Sequence, residues 1–286
     1  MKPVALVTAA AARTLDEDLP PLLRALEALD IPAETVVWDD PAVDWSRYAI
    51  AVVRSTWDYV PKRDAFVAWA EQVASVTRLA NSPAILRWNT DKRYLRELAA
   101  GGAPVVTTHW IEPGDAPHVP FDGAFVVKPA ISAGSKDTAR YGASEMEAAL
   151  AHIRRLQSDR RTVMVQPYLS GLDEHGETGM VFLAGEYSHA IRKGAILRPD
   201  VQYVDRLFAK EDLSRREPSA AERAAAEKVL SLVPGGREQL LYARVDLAPG
   251  AVLLELELAE PSLFFALSEG AEHRLARRIR DSIRRR

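Results

Sequence analysis

The chain has 286 residues, of which 48% are hydrophobic, and its 37 basic and 40 acidic side chains give a formal net charge of −3. This composition excludes disordered and fibrous proteins, and the near-neutral charge argues against nucleic acid as a general partner. Because the chain contains no cysteine, disulfides, thiolate nucleophiles and cysteine-bound zinc are excluded. The length fits two domains or one large domain.

The amino terminus has some features of a signal peptide, because Lys2 precedes a run of apolar and small residues. That run is short, however, and Arg13 and the acidic residues 16–18 follow it at once. Nowhere does the sequence contain about 18 uninterrupted apolar residues, the length that a membrane-spanning helix needs. We therefore predict a buried first strand, a cytoplasmic protein and no membrane partner.

Residues 1–88 are predicted to form an N-terminal α/β domain. Short runs of β-branched and apolar residues alternate with segments whose apolar residues recur at helical spacing. The domain contains no G-x-G-x-x-G sequence, so it lacks the usual dinucleotide fingerprint. The predicted strands are 4–8, 33–38 and 50–53, and the predicted helices are 15–29 and 66–76.

A domain boundary is predicted at 88/89, because residues 81–91 contain turn formers and an Asn-Thr-Asp cluster suited to capping a helix at 92–100. A central domain then covers 89–165 and a C-terminal domain 166–286. The arginine-rich end, EHRLARRIRDSIRRR, predicts a solvated helix with cations near its C-terminal dipole end. The other predicted elements are strands near 105–110, 124–128, 162–166, 178–183, 187–192, 240–247 and 251–258, and helices at 144–157 and 220–232.

Two lysines and a loop of small residues predict a site for a polyphosphate. Lys92 opens a helix, Lys128 ends an apolar strand, and residues 129–138, PAISAGSKDT, are rich in small and hydroxyl side chains. Separated ammonium groups and exposed backbone N–H groups can neutralise and surround phosphate oxygens. Each feature alone is more typical of a solvated lysine or an ordinary loop, so the prediction depends on their spacing.

The strand end at 166–169, QPYL, is a candidate hinge and adenine site, because it offers an apolar slot beside backbone hydrogen-bonding groups. Asp173 or Glu174, just beyond it, could bind ribose hydroxyls. The segment read by itself is more typical of a plain strand end and turn.

Three carboxylates near the C-terminus predict a metal site. Glu255 and Glu257 share one face of a strand, and a tight hairpin around Pro249 and Gly250 would bring Asp246 beside them. Converging carboxylates repel each other unless a hard cation such as Mg²⁺ lies between them. The alternative is an amphipathic edge strand with a solvated acidic face, which would not explain why Arg244 lies next to Asp246.

Together these features resemble the ATP-grasp superfamily, in particular its carboxylate–amine ligases of the glutathione synthetase-like kind. The resemblance covers the whole chain and includes the R-x-D and E-x-N metal motifs, here Arg244 with Asp246 and Glu255 with Glu257. Glu257 stands where the family commonly has Asn, so metal number and preference are less fixed. The implied fold is α/β, with an N-terminal α/β pre-ATP-grasp domain followed by two α+β ATP-grasp subdomains that sandwich ATP.

The resemblance also implies roles for individual residues. Lys92 and Lys128 would hold the ATP phosphates, and the loop 132–138, with Ser132 and Ser135, would close over them. Asp246, Glu255 and Glu257 would hold Mg²⁺. The remaining implied roles are adenine binding by Gln166, Tyr168 and Leu169, and stabilisation of the transferring phosphoryl group by Arg192, Lys193 and Arg244.

Within the superfamily, several segments look like the cycloserine synthetases, which cyclise O-ureido-D-serine to D-cycloserine. These segments are RSTWDY at 54–59, NTDKRYL at 89–95, PAISAGSKDT at 129–138, DEHGET at 173–178, SHAIRKGA at 188–195 and ELELAEPSLF at 255–264. In the first of them, Arg54, Ser55 and Thr56 are predicted to bind the substrate. The alternative is that Trp57 and Tyr59 only pack between domains.

The predicted activity is therefore an ATP-dependent cyclo-ligase with a small amino acid-like substrate. Two alternatives stay open at this point: an intermolecular ligase of the same fold, and a nucleotide-binding module without turnover. The six histidines show no H-E-x-x-H spacing and no G-x-S-x-G motif occurs, so zinc hydrolases and α/β-hydrolases are disfavoured. The sequence does not decide the oligomeric state, and a homo-oligomer is one option.

Overall fold

A computed structural model describes residues 1–195 and 212–284. Within these ranges the chain forms three β-sheets with α-helices packed against them, and the sheets occupy residues 4–80, 109–167 and 177–257. The predicted mixture of a parallel α/β layer followed by two α+β layers is confirmed. No helix of the described ranges is long and apolar enough to cross a membrane.

The first sheet is parallel and buried on both faces. It consists of β1 (Val4–Thr8), β2 (Ala33–Val37), β3 (Ile50–Ser55) and β4 (Arg78–Ala80), in the order β2-β1-β3-β4. Alternate side chains of β1 enter two different cores, because successive strand residues point to opposite faces. The helices of this layer are α1 (Leu19–Glu27) and α2 (Arg63–Val76).

The second sheet is antiparallel and holds β5 (His109–Ile111), β6 (Phe125–Pro129), β7 (Ala139–Tyr141) and β8 (Val163–Pro167), in the order β5-β8-β6-β7. Two short helices precede it, α3 (Pro83–Asn89) and α4 (Tyr94–Ala100). Helix α5 (Met146–Ser158) covers one face, with Ala149, Ile153 and Leu156 fully buried.

The third sheet is also antiparallel, with strand order β11-β10-β9-β12-β13. Its helices are α6 (Gly171–His175), α7 (Ala220–Ser231) and α8 (Ala271–Arg284). A capping box between Ser219 and Glu222 starts α7. The strands are β9 (Glu177–Leu183), β10 (Glu186–Lys193), β11 (Leu213–Arg215), β12 (Tyr242–Ala248) and β13 (Val252–Glu257).

The C-terminal helix is not simply solvated, so that prediction is wrong for one of its faces. Leu275, Ala276 and Ile279 of α8 are fully buried in one cluster with Leu22 and Leu26 of α1. The many arginines occupy the opposite face, and their number hides the helical spacing of the few apolar residues. The C-terminus therefore packs on the first layer of the chain.

Two segments near the predicted boundary also differ from expectation. Helix α1 begins at Leu19 and not at residue 15, because Pro20 and Pro21 fit only the first turn of a helix. Residues 81–91 contain the helix α3 and not only a loop, and Ser82 caps its N-terminus. Strand β8 crosses the predicted limit at 165/166, and the division into domains at 88/89 and 165/166 stays a prediction.

Side chains from the boundary segment support the outer edge of β13. The amide of Asn89 donates to the Leu256 carbonyl at 2.8 Å and accepts from the Leu258 N–H at 2.7 Å. The Tyr94 hydroxyl lies 2.9 Å from both the N–H and the carbonyl oxygen of Leu256. These bonds replace a neighbouring strand, so β13 is fixed in position although it lies at the edge of its sheet.

Candidate active site

A cleft of about 1070 Å³ contains most of the predicted site residues. It is lined from the second sheet, the third sheet and the turn after β1, which all face one space. The predicted residues that line it are Lys92, Lys128, Ser132, Ser135, Gln166, Tyr168, Leu169, Lys193, Arg244, Asp246, Glu255 and Glu257. The structure thus brings together residues separated by as many as 165 positions in the chain.

Lys92 connects the small-residue loop to the acidic strand. Its ammonium group donates to the Ser132 carbonyl at 2.8 Å and lies 3.1 Å from a carboxylate oxygen of Glu255. The Ser132 hydroxyl is a further acceptor at 3.1 Å. A bound phosphate would compete with these partners for a buried ammonium group, so Lys92 can link phosphate binding to the position of the loop.

Lys128 lies at the end of β6 and points into the same cleft. Burial lowers its pKa to about 8, although the neighbouring Glu255 raises it, and the positive charge of Lys92 lowers it further. A strongly anionic ligand would stabilise the charged form of Lys128 and restore its pKa. The two lysines and Glu255 therefore form one electrostatically coupled group.

The predicted adenine segment lines the cleft, but the predicted ribose residues do not. The Arg140 guanidinium lies 3.5 Å from the centroid of the Tyr168 ring, and the Tyr168 hydroxyl donates to Asp173 at 2.6 Å. Asp173 also accepts two bonds from Arg140 at 3.1 Å. The carboxylate of Asp173 therefore holds the Tyr168 side chain in position. The side chain of Glu174 is 80% exposed. Neither residue lines the cleft, so neither is placed to bind ribose in this structure.

The two acidic strands pair as the sequence predicts. In the hairpin of β12 and β13, Asp246 lies opposite Glu255, and Arg244 lies opposite Glu257. Asp246 is 2% exposed and accepts two bonds from Arg244 and one from Lys193, all at 2.9 Å. The predicted hairpin is confirmed, and its carboxylates belong to a buried network with cations and do not form a solvated face.

The pKa values of the network follow from this charge balance. Burial opposes ionisation of Asp246, but Arg244 and Lys193 outweigh it and lower its pKa to about 2. Burial raises the pKa of Glu257 to about 8, and the negative charges of Asp246 and Glu255 also raise it. The ion pair with Arg244 lowers this pKa but does not outweigh these effects. Glu257 is thus the carboxylate with the least compensation of the three.

The chemistry of this donor set fits a hard cation such as Mg²⁺, which prefers carboxylate oxygen. Burial, and after it the negative charges of Asp246 and Glu255, raise the pKa of Glu257, and an additional cation would favour its ionised form. In the described parts of the chain, no three His, Cys, Asp or Glu side chains are arranged as a complete metal site. The present partners of the carboxylates are Lys92, Lys193 and Arg244.

Arg192 does not reach the cleft, although its neighbour Lys193 does, because adjacent strand residues face opposite sides of a sheet. Its guanidinium donates to the His175 carbonyl at 2.9 Å and pairs with Asp212. The predicted role of Arg192 at the transferring phosphoryl group therefore has no support in this arrangement.

The predicted substrate residues Arg54, Ser55 and Thr56 are all 0% exposed and lie outside the cleft lining. The structure therefore does not bring these three side chains to the cleft, and the predicted substrate contact has no support in this arrangement. Arg54 instead donates to the Pro261 carbonyl at 3.0 Å and lies 3.6 Å from Asp18. The next residues along the chain, Trp57 and Tyr59, do line the cleft.

Sequence reasoning missed several residues that line the cleft, chiefly Asp16, Glu177, Glu260 and Phe264. Asp16 follows the first strand, and the acidic run after an apolar strand was a usable signal. Glu260 is near Tyr59, and burial raises its pKa to about 7. Phe264 adopts a left-handed backbone conformation with φ of 52°, which no local sequence pattern indicates.

Comparison with known proteins agrees with this geometry. Residues 4–81 match the N-terminal domain of D-cycloserine synthetase DcsG. Over 98% of its length, the chain is 41% identical to the cycloserine biosynthesis protein DcsG of Streptomyces lavendulae, 99% of which is covered. The chain belongs to the DcsG family.

Solved structures give the same result for the fold. The crystal structure of D-cycloserine synthetase DcsG superposes with a TM-score of 0.90 at 38% identity, covering 98% of this chain and 99% of that one. The ATP-grasp ligase PsnB, complexed with a phosphomimetic variant of its minimal precursor, Mg and ADP, gives a TM-score of 0.65 at 18% identity and 98% coverage of both chains. The predicted ATP-grasp fold and the predicted ligase class of this DcsG-family chain are confirmed.

Proposed function

We propose that this enzyme uses ATP to cyclise O-ureido-D-serine to D-cycloserine, releasing ADP and phosphate. The observation that carries the proposal is the single cleft in which Lys92 and Lys128 face the carboxylates of β12 and β13. Membership of a family whose characterised relative is a cycloserine biosynthesis protein supports the choice of substrate.

In the first step, the substrate carboxylate attacks the terminal phosphoryl group of ATP, which forms an acyl phosphate and ADP. Such a transfer needs little more than positioning and neutralisation of charge. We assign Lys92 and Lys128 to neutralisation of the phosphates, and Arg244 and Lys193 line the same cleft beside Asp246. We assign Arg244 and Lys193 to the phosphoryl group and the acyl phosphate.

Asp246, Glu255 and Glu257 are the residues that would hold Mg²⁺. When bound, Mg²⁺ supplies charge stabilisation to the phosphoryl oxygens. Glu257 supplies an oxygen where the superfamily commonly has the Asn amide, and so contributes an additional negative charge. We expect this exchange to strengthen binding of a divalent cation at Glu257.

In the second step, the aminooxy nitrogen of the same molecule attacks the acyl phosphate, and phosphate leaves as the five-membered ring closes. This nitrogen becomes available when the carbamoyl part of the ureido group leaves as isocyanic acid, a loss that consumes no water. Water must be excluded, since hydrolysis would destroy the acyl phosphate. The loop 132–138 is suited to this, because Lys92 holds it at Ser132, and Arg155 and Arg161 hold it at Asp137.

For the nucleotide itself, we propose that Gln166, Tyr168 and Leu169 surround the adenine ring, with Ser132 and Ser135 beside the phosphates. Gln166 is buried and donates to the Thr108 hydroxyl at 2.8 Å, which fixes its orientation. We also propose that the enzyme acts in the cytoplasm, where ATP is available, on a small amino acid-like molecule.

The test is to incubate the enzyme with ATP, Mg²⁺ and O-ureido-D-serine, with and without a second amine, and to measure ADP and D-cycloserine. We expect equal amounts of ADP and cyclic product without any second amine. ADP release that requires a second amine would instead indicate an intermolecular ligase. Tight ATP binding without ADP release would indicate a nucleotide-binding module, which would have no need of so many carboxylates.

A further inference from the structure

The turn after β1 contains a buried carboxylate whose chemistry the proposed reaction has not yet used. Asp16 is 5% exposed and lines the cleft. One of its oxygens, Oδ1, accepts the Asp18 N–H at 3.0 Å. The other, Oδ2, is buried and has no hydrogen-bond donor among the residues that the structure describes. Burying a carboxylate oxygen without a partner is costly, so this atom points to a missing cationic or hydrogen-bonding ligand.

The other carboxylates of the cleft, apart from the exposed Glu17, already have partners within the protein. Asp18 accepts the N–H groups of residues 263–265 at 2.6 to 3.1 Å. Glu177 and Asp246 pair with Lys193, and Glu255 pairs with Lys92. The remaining acidic lining residues are Glu257, which pairs with Arg244, Glu260, which is bonded to Tyr59, and the exposed Glu17.

The surroundings of Asp16 favour a cation on its cleft side. Burial raises the pKa of Asp16, and Arg54 and the Ser55 hydroxyl offset this only in part. Arg54 is fully buried and outside the cleft lining, and it holds Asp18 and the Pro261 carbonyl. A small cation that approaches from the cleft would therefore stabilise the ionised form of Asp16 without displacing an existing ion pair.

A short series of contacts also connects the turn at Asp16 to Arg244. Asp18 holds the backbone of residues 263–265, and the preceding Ser262 carbonyl accepts a bond from Arg244 at 3.0 Å. The Arg244 guanidinium lies 5.3 Å from the centroid of the Phe264 ring. One short segment thus connects the Asp16 turn to the arginine assigned to the acyl phosphate.

An α-amino acid has its ammonium group and its carboxylate on the same carbon, so a site that activates the carboxylate needs an acceptor for the ammonium group close by. On the basis of the proposed function, we propose that Oδ2 of Asp16 binds the α-ammonium group of the substrate. The N-terminal layer then selects for α-amino acids, and the other two layers supply the phosphoryl chemistry. The assignment replaces Arg54, Ser55 and Thr56 with a residue that reaches the cleft.

The test compares O-ureido-D-serine with its deamino analogue, 3-(ureidooxy)propanoate, in the wild type and in Asp16→Asn. This substitution keeps the shape of the side chain and the Oδ1 acceptor for Asp18. We expect kcat/KM for O-ureido-D-serine to fall about 30-fold or more, as for loss of one partner of a buried charge pair. The KM for ATP and the inhibition constant of the analogue should stay within about twofold of wild type, since neither ligand has an ammonium group for Asp16.

Glu17→Gln is the matched control, because it removes the same charge from the neighbouring exposed residue. It should preserve the wild-type preference for the amino substrate over the analogue. Equal losses for substrate and analogue in Asp16→Asn would mean that Asp16 is only structural and would overturn the assignment. An unchanged kcat/KM would overturn it as well.

The wild type provides a separate test if Asp16→Asn does not fold. The wild type should bind the deamino analogue about 30-fold more weakly than O-ureido-D-serine, and equal binding would contradict an ammonium site. Failure of the proposed function looks different, because the wild type would then form no cyclic product from O-ureido-D-serine at all.

Discussion

The acidic hairpin of β12 and β13 and the segment 54–59 of the first layer both combine polar and apolar residues, yet they have different roles. In the hairpin, Asp246, Glu255 and Glu257 all reach the cleft. In the first layer, Arg54 to Thr56 are fully buried, and only Trp57 and Tyr59 line it. One face of the hairpin borders the cleft, so its polar residues reach the site, whereas β3 is covered on both faces and its polar residues are enclosed by the protein.

The difference shows that charge alone does not identify a ligand contact. Arg54 and Arg244 are both buried arginines beside an aspartate, but Arg244 borders the cleft and Arg54 stabilises the turn at Asp18. We therefore expect substitutions in the hairpin to affect catalysis and substitutions in the 54–56 segment to affect stability.

The largest effect is expected at Lys128, on the catalytic side of the comparison. Lys128→Met should reduce ADP formation by about 10³-fold, because it removes one of two ammonium groups that face the phosphates. Lys136→Met is the control, since Lys136 belongs to the same region but is exposed and outside the cleft lining. Near-normal turnover in Lys128→Met would refute the phosphate assignment.

Arg54 tests the expectation that substitutions in the 54–56 segment affect stability. Arg54→Leu should lower the free energy of unfolding by about 3 kcal/mol, because it leaves the buried Asp18 carboxylate without its arginine. Urea titration measures this change, and Arg47→Leu, which breaks the exposed pair with Glu34, should cost less than about 1 kcal/mol. A raised substrate KM with unchanged stability would instead restore Arg54 as a substrate contact.

His189 tests the segment around Leu263, which contacts both the acidic hairpin and the first layer. The His189 imidazole lies 2.8 Å from the Leu263 carbonyl oxygen. Burial lowers the pKa of His189 to about 4, below the ordinary value near 6.5. The unfolded chain therefore binds more protons between these values, and stability falls as the pH falls from about 6.5 towards 4.

Urea titrations at pH 7 and pH 5 measure this effect, of which His189 should account for about 2 kcal/mol. His189→Gln should reduce the loss between the two pH values by that amount, whereas His273→Gln, at an exposed site, should not. An unchanged loss in His189→Gln would show that folding does not lower the pKa of this histidine.

The smallest effect is expected at Glu257. Glu257→Gln should raise the Mg²⁺ concentration for half-maximal activity by about tenfold, since it removes one negative ligand. Glu269→Gln, at a carboxylate outside the cleft lining, is the control. A Mg²⁺ requirement equal to that of the wild type would exclude Glu257 from the metal site.

The elements that sequence could predict are those determined by local pattern. The alternation at Glu255 and Glu257 and the turn at 249–250 predicted that these residues meet Asp246, which the hairpin confirms. The strand-to-loop change after Lys128 predicted a site that the structure places in the same cleft. The position of Asp173 could not be predicted, because its partner Arg140 lies 33 residues away in the chain.

The part of the cleft that the first layer lines depends on contacts between residues that are even further apart in the chain. Asp18 bonds to residues 263–265 across about 245 positions, and only that packing fixes the turn so that Asp16 faces the cleft. The helix α3 was missed for a similar reason, since Asn89 is held by its bonds to β13.

The central claim is that the substrate carboxylate is activated by transfer of a phosphoryl group. The most direct measurement uses O-ureido-D-serine labelled with ¹⁸O in its carboxylate, with mass spectrometry of the released phosphate. We predict that each molecule of D-cycloserine formed is accompanied by one phosphate that contains one ¹⁸O atom. Formation of the ring together with unlabelled phosphate would contradict the account.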